Sequence, residues 1–340
     1  MIRRDFLKLV ATTVAGAPFI NTAGASDVLG MTLPTRPLGK TGERITAFTL
    51  GGAHLYRGAG DIINQAIIEK AIEVGIRSFD TALYYDEGHA EKIYGKFLTP
   101  KYRDQVFLTS KTMAKTGKAL RQDLETSLKS LKTDRIDLFQ MHAISGVNDV
   151  HSRWEQGVVD ELLKARDEGL VRYIGFTGHT NPKGHLEMIR TLRKNGVAFD
   201  SCLLPINAAD SHYESFIINV LPELVKDDYA IFAMKTLAGG GLIGKSRIGL
   251  RILGLPEEDV YPTVLDKGLT VRDLHHFVYA LPITSVVCGC ESPVEVAVNI
   301  RNLHAYDGLS EERRKAILSV TGAIAETDAE NVEYYKRRIT

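Results

Sequence analysis

A single-domain α/β fold, the (β/α)8 or TIM barrel, is what this sequence predicts, and three observations carry the prediction. Eight short apolar runs of strand character are separated by stretches with helical spacing. These units fill about 260 residues, the usual extent of an eight-unit barrel. No internal linker interrupts the series. A doubly wound open sheet is the alternative, but its Gly-x-Gly-x-x-Gly turn after the first strand is absent, since "LGGAHLYRG" does not match.

The elements follow in order. "RITAFTLGG" is the first strand, and the helix "DIINQAIIEKAIEVG" after it places Ile63, Ile67, Ala71 and Val74 on one face. "IRSFD" and "QVFLTSK" are the second and third strands. The helix "GKALRQDLETSLKSLK" then spaces Leu120, Leu124, Leu128 and Leu131 a turn apart. "RIDLFQMH" precedes the helix "GVVDELLKARDEG", and "RYIGFTG", "SCLLPIN", "YAIFAMK" and "TSVVCG" complete the eight.

Composition narrows the function classes. Of 340 residues, 44% are hydrophobic and 25% charged, enough for a sizeable core. Lys+Arg and Asp+Glu both number 42, and no long single-sign run is present to attract nucleic acid or an acidic lipid surface. The start of the chain lies outside the barrel. "MIRRDFLKLVATTVAGAPFINTAGAS" carries Arg3 and Arg4, then Phe6, Leu7 and Lys8, a moderately apolar stretch from Leu9 to Ile20, and an Ala-x-Ala end at Ala23 and Ala25. We read residues 1–25 as a twin-arginine export signal, and residues 31–340 as the barrel with a C-terminal helical extension. The export machinery is then a partner and the periplasm, or another exported location, the destination. The alternative is an uncleaved anchor, although the stretch is too short to cross about 30 Å of hydrocarbon.

Chemistry gathers at the ends of the second, third and fourth strands, which finish on Asp80, Lys111 and His142. Parallel barrel strands lie roughly 4.8 Å apart, so the three side chains should meet at the C-terminal rim, where such barrels keep their active sites. Alternation places Ser78, Asp80, Thr109, Lys111, Gln140 and His142 on one face, with Phe79, Leu108, Phe139 and Met141 on the other. Tyr85 sits five residues beyond Asp80, in the loop above the same strand.

With these residues in place the sequence resembles the aldo-keto reductase superfamily, from "LGKTGERITAFTLGG" through "FDTALYYDEGHAEKIYGKFL", "VFLTSK", "IDLFQMH" and "VRYIGFTGH" to "MKTLAGGGLIG". The resemblance runs from about Leu38 to Leu303. Its Asp-x4-Tyr pattern falls on Asp80 and Tyr85, its lysine on Lys111 and its histidine on His142, and the register selects Tyr85 over Tyr84. The chemistry agrees with this assignment. A carbonyl that accepts hydride needs a proton, and a phenol of pKa about 10 becomes a better acid near neutrality when a cation stands beside it. Lys111 is that cation and Asp80 its anchor. His142 would orient the carbonyl or help to pass the proton.

No side chain supplies hydride, so the expected cofactor is a nicotinamide dinucleotide, NADPH or NADH. The resemblance places its carboxamide on Thr177, Gly178, His179 and Asn207, where the commoner Ser-Asn and Gln are replaced. It places the pyrophosphate by Lys235 and the run Gly239, Gly240 and Gly241, for which a mobile surface loop is the other reading. Where members that prefer the 2′-phosphate carry basic residues, this chain has Gly289 and Glu295, which leaves the preference open. Glu295 reads equally as the end of a capping box begun at Ser292, with Pro293 at the first helical position. Asn299 matches an adenine contact.

Other features read as structural. Cys202, Cys288 and Cys290 lack zinc spacing, and an i, i+2 disulfide would be strained, so buried thiols are expected, with a Cys202 bridge as the exception that export allows. Trp154 packs against the rim or lines a substrate pocket, and His275 and His276 receive no role. The long segment 245–270 is expected to close over cofactor.

Two function classes remain. One is an exported oxidoreductase of carbonyls and alcohols. The other is a cofactor-binding sensor or partner module, or a redox-neutral sugar epimerase with tightly held cofactor. If the export reading is right, Arg3→Lys combined with Arg4→Lys blocks export and Ser26 begins the mature chain; unchanged secretion of the double variant would refute the signal.

Overall fold

The structure is a computed structural model that describes residues 26–55, 59–244, 264–327 and 332–336. The expected export signal at residues 1–25 and most of the expected lid, residues 245–263, lie outside the described residues. Within them the predicted alternation is realised. The strands are β1 Phe48–Gly51, β2 Ser78–Asp80, β3 Phe107–Thr112, β4 Ile136–Met141, β5 Val171–Thr177, β6 Ser201–Pro205, β7 Ala230–Met234 and β8 Ser285–Gly289. All neighbours are parallel and sequential, and β8 pairs with β1 to close the barrel.

The longer helices form the outer layer: α1 Asp61–Glu73, α2 His89–Phe97, α3 Gly117–Leu131, α4 Val147–Glu155, α5 Val158–Asp167, α6 Pro182–Lys194, α7 Leu221–Lys226, α8 Val271–Tyr279, α9 Pro293–His304 and α10 Glu311–Thr327. Local chemistry sets their starts. The Thr116 side chain accepts from Ala119 N ahead of α3, Asn181 accepts from Lys183 N ahead of α6 with Pro182 at its first position, and Thr270 and Asp273 form a capping box on α8. Leu120, Leu124 and Leu131 of α3 are buried at the predicted spacing.

The strand faces divide as alternation requires. Phe79, Leu108, Phe139 and Met141 point outward into the core shared with the helices. Inside, Phe107, Leu138, Leu203, Phe232 and Val287 pack with Leu38 and Ile45, so the hairpin of Thr35–Pro37 and Arg44–Thr46 closes the N-terminal end. A polar layer lies above. Thr49 Oγ1 is 2.8 Å from both Ser78 Oγ and Ser285 Oγ, and Gln140 Nε2 donates to Ser201 Oγ at 3.0 Å. The barrel therefore has an apolar floor and a hydrogen-bonded middle, and its ionisable residues sit at the opposite mouth.

Close packing between α2 and α3 depends on Gly95, where an added Cβ would stand 2.0 Å from the Ser130 carbonyl oxygen. Because the obstacle is backbone, the helices must separate to admit it. Gly95→Ala should therefore cost about 1–3 kcal/mol, read as a lower urea midpoint at unchanged slope.

Candidate active site

Asp80, Lys111 and His142 converge at the C-terminal mouth, as the strand ends predict. Lys111 is fully buried and Asp80 is 4% exposed. Nζ of Lys111 donates to Asp80 Oδ1 at 2.7 Å and to the Thr81 carbonyl oxygen at 2.7 Å, and its third direction leads to Tyr85 Oη at 3.4 Å. The same nitrogen lies 4.9 Å from the centre of the Tyr85 ring, and that ring meets His142 edge to face at 5.7 Å.

Backbone hydrogen bonds hang the tyrosine loop on β3. Thr81 N donates to Thr109 O at 2.9 Å, and Leu83 N to Lys111 O at 3.4 Å. Asp86, Glu87 and Gly88 then take left-handed φ values of 46°, 55° and 83° before α2 begins, a run costly for the two side-chain-bearing residues. This geometry separates the two tyrosines. Tyr85 faces the cation, whereas Tyr84 is 49% exposed and donates to Asp123 Oδ2 at 3.0 Å.

The electrostatics follow from burial and charge. Burial works against the Lys111 ammonium, but Asp80 and then Tyr85 together reverse this and hold it above the ordinary lysine value. Burial also raises Asp80, which Lys111 offsets only in part. Tyr85 departs from the expectation: burial pushes its phenol above the usual value, and the lowering by Lys111 does not overcome it. The cation thus limits the rise and leaves the proton on Tyr85 at neutral pH. Burial first, and then Lys111, takes His142 well below the ordinary imidazole range, so this ring is neutral. Its Nδ1 is buried without a hydrogen-bond partner.

Sequence reasoning missed Arg153. Its side chain is fully buried in α4, with Nε 3.0 Å from Asp149 Oδ1 and Nη1 donating to the His142 carbonyl oxygen at 2.9 Å. It braces the chain where Ala143 takes a left-handed φ of 56°. The signal available was an Asp149–Arg153 pair at helical i, i+4 spacing. Its neighbour Trp154 is partly buried and packs against the outer core, as the packing reading expects.

The expected cofactor residues form an arc along the same mouth. Thr177 is buried with Oγ1 lacking a partner, which suits a carboxamide, and Gly178 is required because a Cβ there would stand 2.5 Å from the Ile144 carbonyl oxygen. His179 is half-buried, and its charge would bear on His142. Gly239 and Gly240 turn with φ of 64° and 96° and Gly241 is buried, a backbone able to approach a pyrophosphate closely. Asn207 and Lys235 are engaged by protein. Asn207 Nδ2 donates to Lys235 O at 3.0 Å and Tyr335 Oη at 2.9 Å, and its Oδ1 accepts from Ala209 N. Lys235 Nζ donates to Tyr334 Oη at 3.2 Å. Both tyrosines belong to a buried segment, 332–336, anchored by Lys336, whose Nζ is 2.7 Å from Asp210 Oδ1 and 3.2 Å from Glu333 Oε1.

At α9 the cap reading of Glu295 is partly realised. Ser292 Oγ accepts from Glu295 N at 3.2 Å, but the Glu295 carboxylate accepts from Glu291 N at 2.8 Å rather than from the Ser292 amide of a full capping box. Asn299 Nδ2 turns toward Cys290 Sγ at 3.4 Å and Cys288 Sγ at 3.8 Å. On Thr177, Gly178 and the left-handed glycines, the arc fits a nicotinamide dinucleotide.

The chain is thus a closed parallel barrel with a buried lysine–carboxylate pair beneath a tyrosine at its mouth. The chain belongs to the aldo/keto reductase family, whose profile matches residues 49–275. It is 34% identical over 137 residues to the methylglyoxal reductase DkgA of Yersinia pestis, covering 39% of this chain and 45% of that one. It is 25% identical over 285 residues to an uncharacterized oxidoreductase of Bacillus subtilis, YqkF, covering 75% and 87% of the two chains. The holo form of the aldo-keto reductase AKR11C1 from Bacillus halodurans superposes with a TM-score of 0.68 at 20% identity, over 85% of this chain and 96% of that one. The matched part spans about half the length of the first curated relatives, 45% and 55%.

If Arg153 braces the histidine, Arg153→Met should destabilise by about 3 kcal/mol, because it removes one partner of a buried ion pair and leaves the His142 carbonyl without its donor. Arg153→Lys should recover only part of this, since one ammonium cannot reproduce the forked contact. Thermal melting of both variants checks the order, and equal melting of wild type and Arg153→Met would remove the brace from the account.

Proposed function

We propose that this chain is a nicotinamide-dinucleotide-dependent oxidoreductase that interconverts a carbonyl and an alcohol, with Tyr85 as proton donor. The observation that carries the reading is the single Lys111 ammonium shared by Asp80 and Tyr85. A bound dinucleotide supplies the hydride, and Thr177, Gly178 and the Gly239–Gly240 turn are the residues that would hold it. Lys111, kept charged by Asp80, stabilises the negative charge that develops on the Tyr85 oxygen as its proton leaves. Neutral His142 offers a ring N–H to the carbonyl oxygen and orients it beside Tyr85. We further propose that the protein reaches the periplasm through the twin-arginine route, a reading supported by Arg3, Arg4 and the Ala23–Ala25 end.

The test separates the two tyrosines. Tyr85→Phe should keep dinucleotide binding while turnover falls by about 10² to 10⁴, the usual contribution of a general acid. Tyr84→Phe should stay near wild type. Aldehydes, sugars and methylglyoxal form the substrate panel, with binding followed by fluorescence. Loss of turnover in Tyr84→Phe alone would overturn the assignment, and binding without reduction of any substrate would favour a sensor or redox-neutral role.

The direction of the Tyr85 shift also fixes a pH dependence. Reduction requires the protonated phenol, and burial, which raises Tyr85 above its usual value, keeps it protonated through neutrality. The kcat/KM for reduction should therefore be flat across neutral pH and fall only on the far alkaline side, in a limb that Tyr85→Phe abolishes. A falling limb near neutral pH would contradict the raised value.

A further inference from the structure

Residues 332–336 lie across the arc that the dinucleotide is expected to use, and the proposed reaction employs none of them. α10, which precedes them, packs on the loop after β6. Thr321 Oγ1 donates to the Ala208 carbonyl oxygen at 3.0 Å, and Gly322 sits against the His212 ring, where an added Cβ would stand 2.7 Å from Cε1. Lys336 then fixes the segment to the same loop. Its Nζ donates to the Tyr213 carbonyl oxygen at 2.6 Å and to Asp210 Oδ1 at 2.7 Å, and both side chains of this ion pair are fully buried. Asp210 is held in turn by Ser215 Oγ at 2.8 Å and by the amides of Phe216 and Ile217. Breaking one partner out of such a pair is strongly disfavoured, so the anchor is permanent.

The two tyrosines ahead of the anchor are held more weakly. Each spends its hydroxyl on a residue of the arc: Tyr335 Oη accepts from Asn207 Nδ2 at 2.9 Å, and Tyr334 Oη from Lys235 Nζ at 3.2 Å. Tyr334 also covers the glycine turn, since a Cβ on Gly239 would meet its hydroxyl oxygen at 2.7 Å. Lys235 is partly buried and stands 5.4 Å and 5.7 Å from the centres of the two rings. Its ammonium is therefore satisfied by a neutral phenol and two ring faces, and an anionic pyrophosphate is a stronger partner than either.

We propose, on the dinucleotide reading of this mouth, that residues 332–336 are an intramolecular strap that competes with the dinucleotide. Tyr334 and Tyr335 engage Lys235, Asn207 and Gly239 in the closed state seen here, and a dinucleotide binds by taking these positions from them. The exchange is one of like for like. Phosphate oxygens replace a phenol on Lys235, and a carboxamide replaces a phenol on Asn207, so few hydrogen bonds are lost in either state. Lys336 keeps the segment tethered throughout, and the strap returns when the ligand leaves. Apparent affinity is then reduced by the fraction of chains that are closed.

Fluorescence titration of the full chain with NADPH and with NADH, beside a variant carrying Tyr334→Phe and Tyr335→Phe, tests the strap. Both rings remain in the variant, but their hydroxyls no longer hold the arc. It should bind dinucleotide about tenfold tighter, through faster association at an unchanged dissociation rate. In wild type, saturating dinucleotide should speed amide hydrogen exchange across 332–336 and leave the anchored peptide around Asp210 unchanged. Equal or weaker binding by the variant, or slower exchange of the strap with ligand bound, would overturn the competition while leaving dinucleotide binding in place. Binding of neither dinucleotide by either protein would overturn the cofactor reading itself, and the strap with it. The exchange measurement uses wild type alone and decides the matter whatever the stability of the variant.

Discussion

The mouth of this barrel is organised around one ammonium ion removed from water. An isolated charge of that kind is strongly disfavoured in a protein interior. Lys111 persists there because β2 and β3 are neighbours and Asp80 ends the first of them, so the carboxylate arrives at 2.7 Å without reaching for it. The third ammonium direction then falls to Tyr85 because the Thr81 carbonyl has taken the second. Remove Asp80 and the remaining charge would favour either deprotonation or movement toward solvent, and the tyrosine would lose its partner in both cases.

Most of this was legible in the sequence, for a definite reason. A strand shows its two faces at a period of two, so the identities of residues 78, 80, 109, 111, 140 and 142 determine which side chains meet inside once the barrel closes. Tyr85 was legible from its spacing to Asp80, and the structure adds the physical cause in the loop's hydrogen bonds to β3 and the outward contact of Tyr84 with Asp123. The acidity of Tyr85 was misjudged. Counting the nearby cation is simple from sequence, whereas the opposing effect of burial depends on packing that sequence does not display.

Arg153 and the segment 332–336 were not legible for a related reason. Each acts through contacts distant along the chain: Arg153 on a backbone carbonyl, and Tyr334 and Tyr335 on Lys235 and Asn207 across 99 and 128 positions. The i, i+4 spacing of Asp149 and Arg153 marks a pair on one helix face, but nothing in it says that the pair will point inward to a strand end. The same contacts alter the cofactor arc, since Asn207 and Lys235 serve as braces here while Thr177 keeps an unengaged hydroxyl.

The loop that carries Tyr85 is bonded along its backbone to the strand that carries Lys111, through Thr81 to Thr109 and Leu83 to Lys111. Acid and cation therefore travel together when the rim fluctuates. Thermal motion can displace the pair relative to the Gly239–Gly240 turn on the opposite wall while changing their mutual separation very little. Warming should accordingly widen or narrow the cleft before it disturbs the proton donor, and loss of ligand grip on heating should precede loss of the chemical apparatus.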